Sequence, residues 1–347
     1  MVDETPNQTL IPWDNYIDEA WLGRRTEEVI EPGLPIVDPH HHLWEWTHYM
    51  VPEFLKDLGS GHNLRATVFM ETGAWYRKEG PEHLRPIGET EFVAGVAEQV
   101  KSGKLSPARV CEGIIGEADL RLGHAVDEVL QAHIAAGKGH FRGIRSNAQF
   151  DAAISWTPTP PPNGLMLDKD YRAGFSRLAA QGLVCDAMQF QPQLPELADL
   201  ARTFPDTTII VNHCGGPLGV GPYAGRRDEL YPLWKASILE LAKYPNVHMK
   251  LGGLANPFFS GLSFRRLAAA PSSEEIATAF RPYVEVCIEA FGHNRCMFES
   301  NFPADKESCS YPILWNAFKR LVAGCSDAEK QALFSGTAAR VYRLAIG

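Results

Sequence analysis

The chain has 347 residues, of which 45% are hydrophobic and 22% charged, enough apolar material for one large domain or two small ones. Its formal net charge of -9 comes without a basic block, which argues against nucleic-acid backbones as partners but leaves room for a small anionic substrate. Seven scattered cysteines without a C-x-x-C pair read as reduced, buried thiols; with no signal-type opening and no apolar run of membrane-spanning length, a cytoplasmic protein with no membrane partner is expected.

In chain order, residues 1–34 are polar and proline-containing and read as an N-terminal arm, with 35–347 forming a single domain. β-type runs then alternate with amphipathic stretches. The expected strands lie at 35–40, 65–71, 110–117, 141–146, 183–190, 207–213, 246–253 and 295–301. Between them, runs such as HAVDEVLQAHIAAG and LPELADLARTF space apolar residues at three and four, as a helix burying one face does. Eight strands each followed by a helix predict an α/β fold, a (β/α)8 TIM barrel. An open doubly wound sheet would carry a glycine-rich phosphate turn after its first strand, and none is found there. Four long connections, at 72–89, 147–168, 214–228 and 254–274, all follow strand C-termini and should overhang the catalytic face.

Alternation along a strand sorts side chains between the two faces. On the first strand Ile36, Asp38, His40 and His42 share a face, so His40 and His42 are expected to project together at the barrel mouth. His41 falls on the other face and reads as structural. On the sixth strand Ile209, Val211 and His213 share a face, and beside the first pair His213 reads as a third site histidine. On the eighth, Met297, Glu299 and Asn301 point inward; Asn301 offers an amide or a carbonyl oxygen but cannot act as a general base. Glu299 could be that base or one half of a buried ion pair with Lys250. Glu71 and Asp305 are the other carboxylates near the mouth.

The segments VDPHHHLW, FRGIRS, MQFQPQLPELADLARTFPDTTIIVNHCGGP, NVHMKLGGL, RCMFESNFPAD and FSGTAARVYRL, in this order, resemble the amidohydrolase superfamily. The likeness is to its amidohydrolase-related branch, which includes 2-pyrone-4,6-dicarboxylate lactonase and sugar-lactone hydrolases. That resemblance implies a distorted barrel with long mouth loops. It also implies hydrolysis of a lactone or related cyclic ester of a small carboxylated or aromatic compound, with His40, His42 and His213 as metal ligands. The family's metal-binding aspartate on the eighth strand falls on Asn301 here, so a divalent ion (Zn2+ or Mn2+) is expected to be weakly bound or absent. The lactonase branch also includes members that work without a metal. Glu71 or Glu299 would then serve as base. Arg145, Gln189, Tyr223 and Arg226 are candidate substrate contacts, and Arg265 and Arg266 add charge near the mouth. Two alternatives stay open: a metal-dependent decarboxylase of an aromatic acid, and a binding barrel whose catalysis has decayed. The expected partner is a small molecule, with a homodimer possible by analogy.

Overall fold

The structure is a computed structural model and describes residues 9–10, 17–101, 106–155, 157, 159–265 and 267–346. Arg266 and residues 1–8 and 11–16 of the expected arm lie outside them.

Eight parallel strands form the barrel: β1 (Pro35–His41), β2 (Asn63–Met70), β3 (Arg109–Gly116), β4 (Phe141–Asn147), β5 (Val184–Met188), β6 (Ile209–Val211), β7 (Val247–Leu251) and β8 (Cys296–Phe298). They hydrogen-bond in sequential order from β1 to β8. Each is followed by a helix: α1 (Val51–Leu58), α2 (Ile87–Lys101), α3 (Val126–Ala136), α4 (Lys169–Phe175), α5 (Leu194–Thr203), α6 (Arg227–Leu241), α7 (Ser273–Phe291) and α8 (Tyr311–Leu321). The TIM barrel expected from the alternating pattern is therefore observed. No helix among the described residues is long and apolar enough to cross a membrane.

The strands are buried on both faces, which is why they read as nearly continuous apolar runs. Ile36, Phe69, Ile114, Ile144, Ile209, Val211 and Phe298 pack outward against the helices. Val37, Val68, Met70, Ile115, Ile210 and Met297 fill the barrel, and Val341, Tyr342 and Leu344 from the C-terminal segment join them. Trp21 and Leu22 of the N-terminal segment pack against Ala270, with the Trp21 indole donating to the Leu267 carbonyl at 2.9 Å.

This layering corrects the alternation argument in three places. Ile36 faces the helices and Val37 the interior, the reverse of the expected assignment, and Ile209 and Val211 likewise face the helices. The register of β1 against β2 shifts between Ile36 and Val37 and again between Asp38 and His41, and such bulges reset the phase of a strand. On β6, His213 lies past the strand end and takes φ of 54°, so its direction is set by the turn. β8 is likewise shorter than expected, and Glu299, Ser300 and Asn301 follow it.

That segment also completes the barrel. The Asn301 amide donates to the His40 carbonyl at 2.9 Å, and the His42 amide to the Phe302 carbonyl at 2.7 Å. Closure itself therefore sets Asn301 beside the two histidines.

Candidate active site

At the C-terminal end of the strands a cavity of about 210 Å³ opens between the loops. Among its lining residues are His42, His213 and Asn301 at the floor, Glu71 and Arg145 on one side, and Trp44, Trp46, Phe258 and Phe259 as aromatic walls. Loops after β2, β4 and β7 reach it; the long 214–228 loop contributes no lining residue.

The histidines are held from behind. His213 Nδ1 lies 2.7 Å from Glu299 Oε1, which also accepts the His213 backbone N–H at 3.1 Å. The other carboxylate oxygen, Oε2, lies 2.7 Å from His40 Nδ1, at ion-pair distance but without hydrogen-bond alignment. Glu299 is completely buried and lines no part of the cavity. Because a carboxylate only accepts, the His213 proton sits on Nδ1 and its Nε2 carries a lone pair toward the cavity. His42 is fixed the same way by the Met70 carbonyl, 2.9 Å from its Nδ1. Burial holds both His40 and His42 well below the ordinary imidazole range, so both rings are neutral.

Beneath them lies a buried charged layer that the sequence did not announce. Lys250 Nζ is 2.7 Å from Asp186 Oδ1, 3.4 Å from His40 Nδ1 and 4.0 Å from Glu299 Oε2. The expected Lys250–Glu299 pair is thus the longer of two, and Asp186, which also accepts from the Tyr342 hydroxyl at 2.9 Å, is the nearer partner.

Asn301, at φ of 54°, donates from Nδ2 to Asp305 Oδ1 at 2.7 Å, while Asp305 Oδ2 accepts the Ala255 amide at 3.1 Å. Burial pushes the Asp305 carboxyl well up. Asp305 is fully buried and does not line the cavity; it orients Asn301. Arg145 donates from Nε to Glu71 Oε1 and from Nη2 to the Glu71 carbonyl, both at 2.7 Å.

Of the expected substrate contacts, only Arg145 lines the cavity. Gln189 is buried outside its lining, Tyr223 donates to Asp151 at 2.6 Å, and Arg226 pairs with Glu229 at the surface. Arg265 pairs with Glu307 at 2.9 Å. His41 lies outside the site, stacked on Phe54 with ring centroids 4.0 Å apart and bonded to the Thr67 hydroxyl.

The family model described as Amidohydrolase matches residues 37–344. The chain belongs to the amidohydrolase family. An uncharacterised protein, y4mH, of Sinorhizobium fredii is 33% identical over 341 residues, covering 90% of this chain and 99% of its own. An L-fucono-1,5-lactonase of Burkholderia multivorans is 26% identical over 324 residues, covering 90% of this chain and 97% of its own. A solved amidohydrolase of Burkholderia multivorans with bound zinc has a TM-score of 0.68 at 24% identity, covering 89% of this chain and 99% of that one. That likeness concerns the fold.

The protein is an amidohydrolase-type hydrolase, and its donors can be tested against a divalent metal ion. His40 Nε2 and His42 Nε2 are 3.2 Å apart. Two imidazoles on one tetrahedral ion, with bonds of about 2.0–2.1 Å, stand about 3.3 Å apart. The pair therefore has the bite of a cation, or of one shared N–H···N hydrogen bond. The ligand-capable atoms of His40, His213 and Glu299 also lie within 4.8 Å of one another. Glu299, facing the Nδ1 edges, backs the rings as outer carboxylates of metal sites do. The residues fit a divalent ion.

Sequence reasoning missed the glycines that make this packing possible. A Cβ on Gly252 would overlap the Glu299 side chain, and one on Gly253 would overlap the His213 ring. The GG pair was expected at the end of the strand 246–253, which stops at Leu251, and only the fold puts those two side chains over it. Gln149 and Asn256, which line the cavity from loops, carried no positional signal at all, whereas Asn147 ends β4 two residues beyond Arg145.

Proposed function

We propose that the protein is a lactonase acting on a neutral, hydroxyl-rich cyclic ester, with water activated by His213. The observation that carries the substrate class is the charge balance of the cavity. Its only lining cation among the described residues, Arg145, is bound twice by Glu71, and the other polar lining side chains are largely amides: Asn147, Gln149, Asn256 and Asn301. A dianionic ring would find no unpaired cation there, whereas hydroxyls can exchange hydrogen bonds with amides. Gln149 Oε1 is buried without a protein partner and is available to one of them. The stacked His42, Trp44 and Trp46 rings offer an apolar platform for the face of a sugar-like ring. The L-fucono-1,5-lactonase relative supports this reading.

In this mechanism Glu299 holds the Nδ1 proton of His213, so Nε2 takes a proton from water as its oxygen attacks the lactone carbonyl. The tetrahedral intermediate collapses with cleavage of the ring C–O bond, and the departing oxygen takes that proton back from His213. His40 and His42 would hold a Zn2+ or Mn2+ ion, which when bound would supply Lewis-acid polarisation of the carbonyl. Its hold is weaker than with a carboxylate ligand, because Asn301 contributes no charge and Glu299 is turned to the Nδ1 edges. Glu71, tied to Arg145, orients substrate in preference to acting as base.

The test is an acid-release and CO2-release screen over neutral aldonolactones, carboxylated pyrones and aromatic acids. It is run on the wild type, on chelator-treated protein and on Asn301→Asp. Turnover of neutral lactones is expected. Turnover confined to carboxylated pyrones would remove the charge-balance argument, and CO2 release from aromatic acids would replace the lactonase with a decarboxylase.

A further inference from the structure

At the opposite end of the barrel from the cavity, three ligand-type side chains converge where β8 begins. His293 precedes β8, while Cys325 and Glu329 flank the start of the helical run 327–341 that closes the chain. Their ligand-capable atoms lie within 4.8 Å of one another. Cys325 Sγ is 3.7 Å from His293 Nε2. A thiolate and an imidazole on one tetrahedral zinc, with bonds of about 2.3 and 2.05 Å, stand about 3.6 Å apart. Glu329 Oε1 is 3.5 Å from the opposite ring nitrogen, His293 Nδ1, well beyond the 2.7–2.9 Å or so of a charge-assisted hydrogen bond, so it would join an ion on Nε2 by turning its side chain or through a bridging water.

Glu329 and the His293 backbone are held before any ion arrives. Glu329 Oε2 accepts from the Ser326 amide and hydroxyl, both at 2.8 Å, which leaves Oε1 directed toward His293. The His293 carbonyl accepts from the Thr337 hydroxyl at 3.1 Å. Cys325 is the one cysteine of seven that is not buried, so an ion can reach it without unfolding.

We propose that His293, Cys325 and Glu329 form a second, thiolate-containing metal site that binds one Zn2+ or similar thiophilic divalent cation, with water completing the shell. Binding releases the Cys325 thiol proton to solvent and ties the entry to β8 to the C-terminal helical run. The donor set differs in kind from that of the barrel mouth, which offers imidazoles but no thiolate.

The difference makes the test specific. Full-length protein is stripped with chelator and titrated with Co2+, following the near-ultraviolet thiolate-to-cobalt charge-transfer band. The band should appear in the wild type and in His42→Ala, be displaced by Zn2+, and vanish in Cys325→Ser. Glu329→Gln should weaken the apparent affinity by about tenfold. Zn2+ should also raise the melting temperature of the wild type more than that of Cys325→Ser. No band in the wild type, or a band that survives Cys325→Ser, overturns the proposal. Neither readout depends on lactone turnover, so failure of the proposed function leaves this test standing.

Discussion

Gly253→Ala probes the proposed role of His213 without touching a polar atom of the cavity. The new Cβ would lie 2.8 Å from His213 Cβ and closer still to the ring atoms Cγ and Nδ1, whereas ordinary contact begins near 3.4 Å. The imidazole must back away by roughly an ångström, and a displacement of that size in a reacting group costs about 10²-fold in rate. Gly253 also has φ of 65°, where an L-residue adds about 1–2 kcal/mol of backbone strain. Gly225→Ala separates the two effects: its φ is 76°, and nothing lies within 4 Å of the added Cβ. Both variants should lose a few degrees of melting temperature, roughly 2–4 °C per kcal/mol. Only Gly253→Ala should lose kcat, measured on whichever neutral lactone the screen selects. A folded Gly253→Ala enzyme with full kcat would remove His213 from the chemistry.

The remaining predictions address the carboxylates and the metal. Glu299→Gln preserves shape but removes the carboxylate charge that accepts the His213 Nδ1 proton, so kcat should fall by about 10²–10⁴ with KM little changed; an altered KM at constant kcat would contradict its place behind the ring. Asn301→Asp should tighten Zn2+ binding on the order of 10–100-fold in competition with a chromogenic chelator, and unchanged affinity would mean residue 301 does not reach the ion. Arg145→Met strands Glu71, with side chains only 13% and 12% exposed, and should cost about 2–4 kcal/mol by urea denaturation, largely recovered by adding Glu71→Gln. Burial, reinforced by the Glu71 charge, pushes the Glu89 carboxyl from its ordinary 4.5 up to about 8 and that of Glu117 up to about 7. Both bind protons more tightly folded than unfolded, so their contribution is complete below about pH 4.5 and is lost as pH rises through 7 and 8. Melting temperature should decline across that window, and Glu89→Gln should flatten the decline; an unchanged slope would count against the assignment.

The barrel was legible because helix and strand periods alternate eight times along the chain, and that signal survives errors at every boundary. The histidines were legible for a different reason. His40 and His42 are two apart, and any extended backbone puts such residues on one side, even though bulges in β1 reverse the face expected for Ile36 and Val37. His213 reached the site by a left-handed turn that strand parity does not describe. Lys250 illustrates the opposite case. The sequence offered Glu299 as its partner, but its nearer partner is Asp186, a contact between strands that no local pattern encodes. The loop amides Gln149 and Asn256 were invisible because loop side chains are aimed by tertiary packing, with no period to read.

Asn301 and Glu299 are best understood together. Read singly, an asparagine where the family resemblance implies an aspartate suggests a lost base. The structure keeps a carboxylate two residues away, fully buried, with its two oxygens 2.7 Å from the Nδ1 atoms of His40 and His213. Negative charge has therefore not left the site; it lies one layer deeper, where it fixes the His213 tautomer and cannot touch substrate. A base acting through His213 needs that arrangement, since an unanchored neutral imidazole would divide its proton between Nδ1 and Nε2 and be a weaker acceptor toward the cavity. On this reasoning Asn301→Asp and Glu299→Gln should act in opposite directions on different quantities. The first raises metal affinity and makes turnover more dependent on added Zn2+; the second lowers kcat whether or not Zn2+ is supplied. If Zn2+ restored Glu299→Gln to wild-type turnover, the carboxylate would be serving the metal rather than the base, and the mechanism would have to pass through the ion.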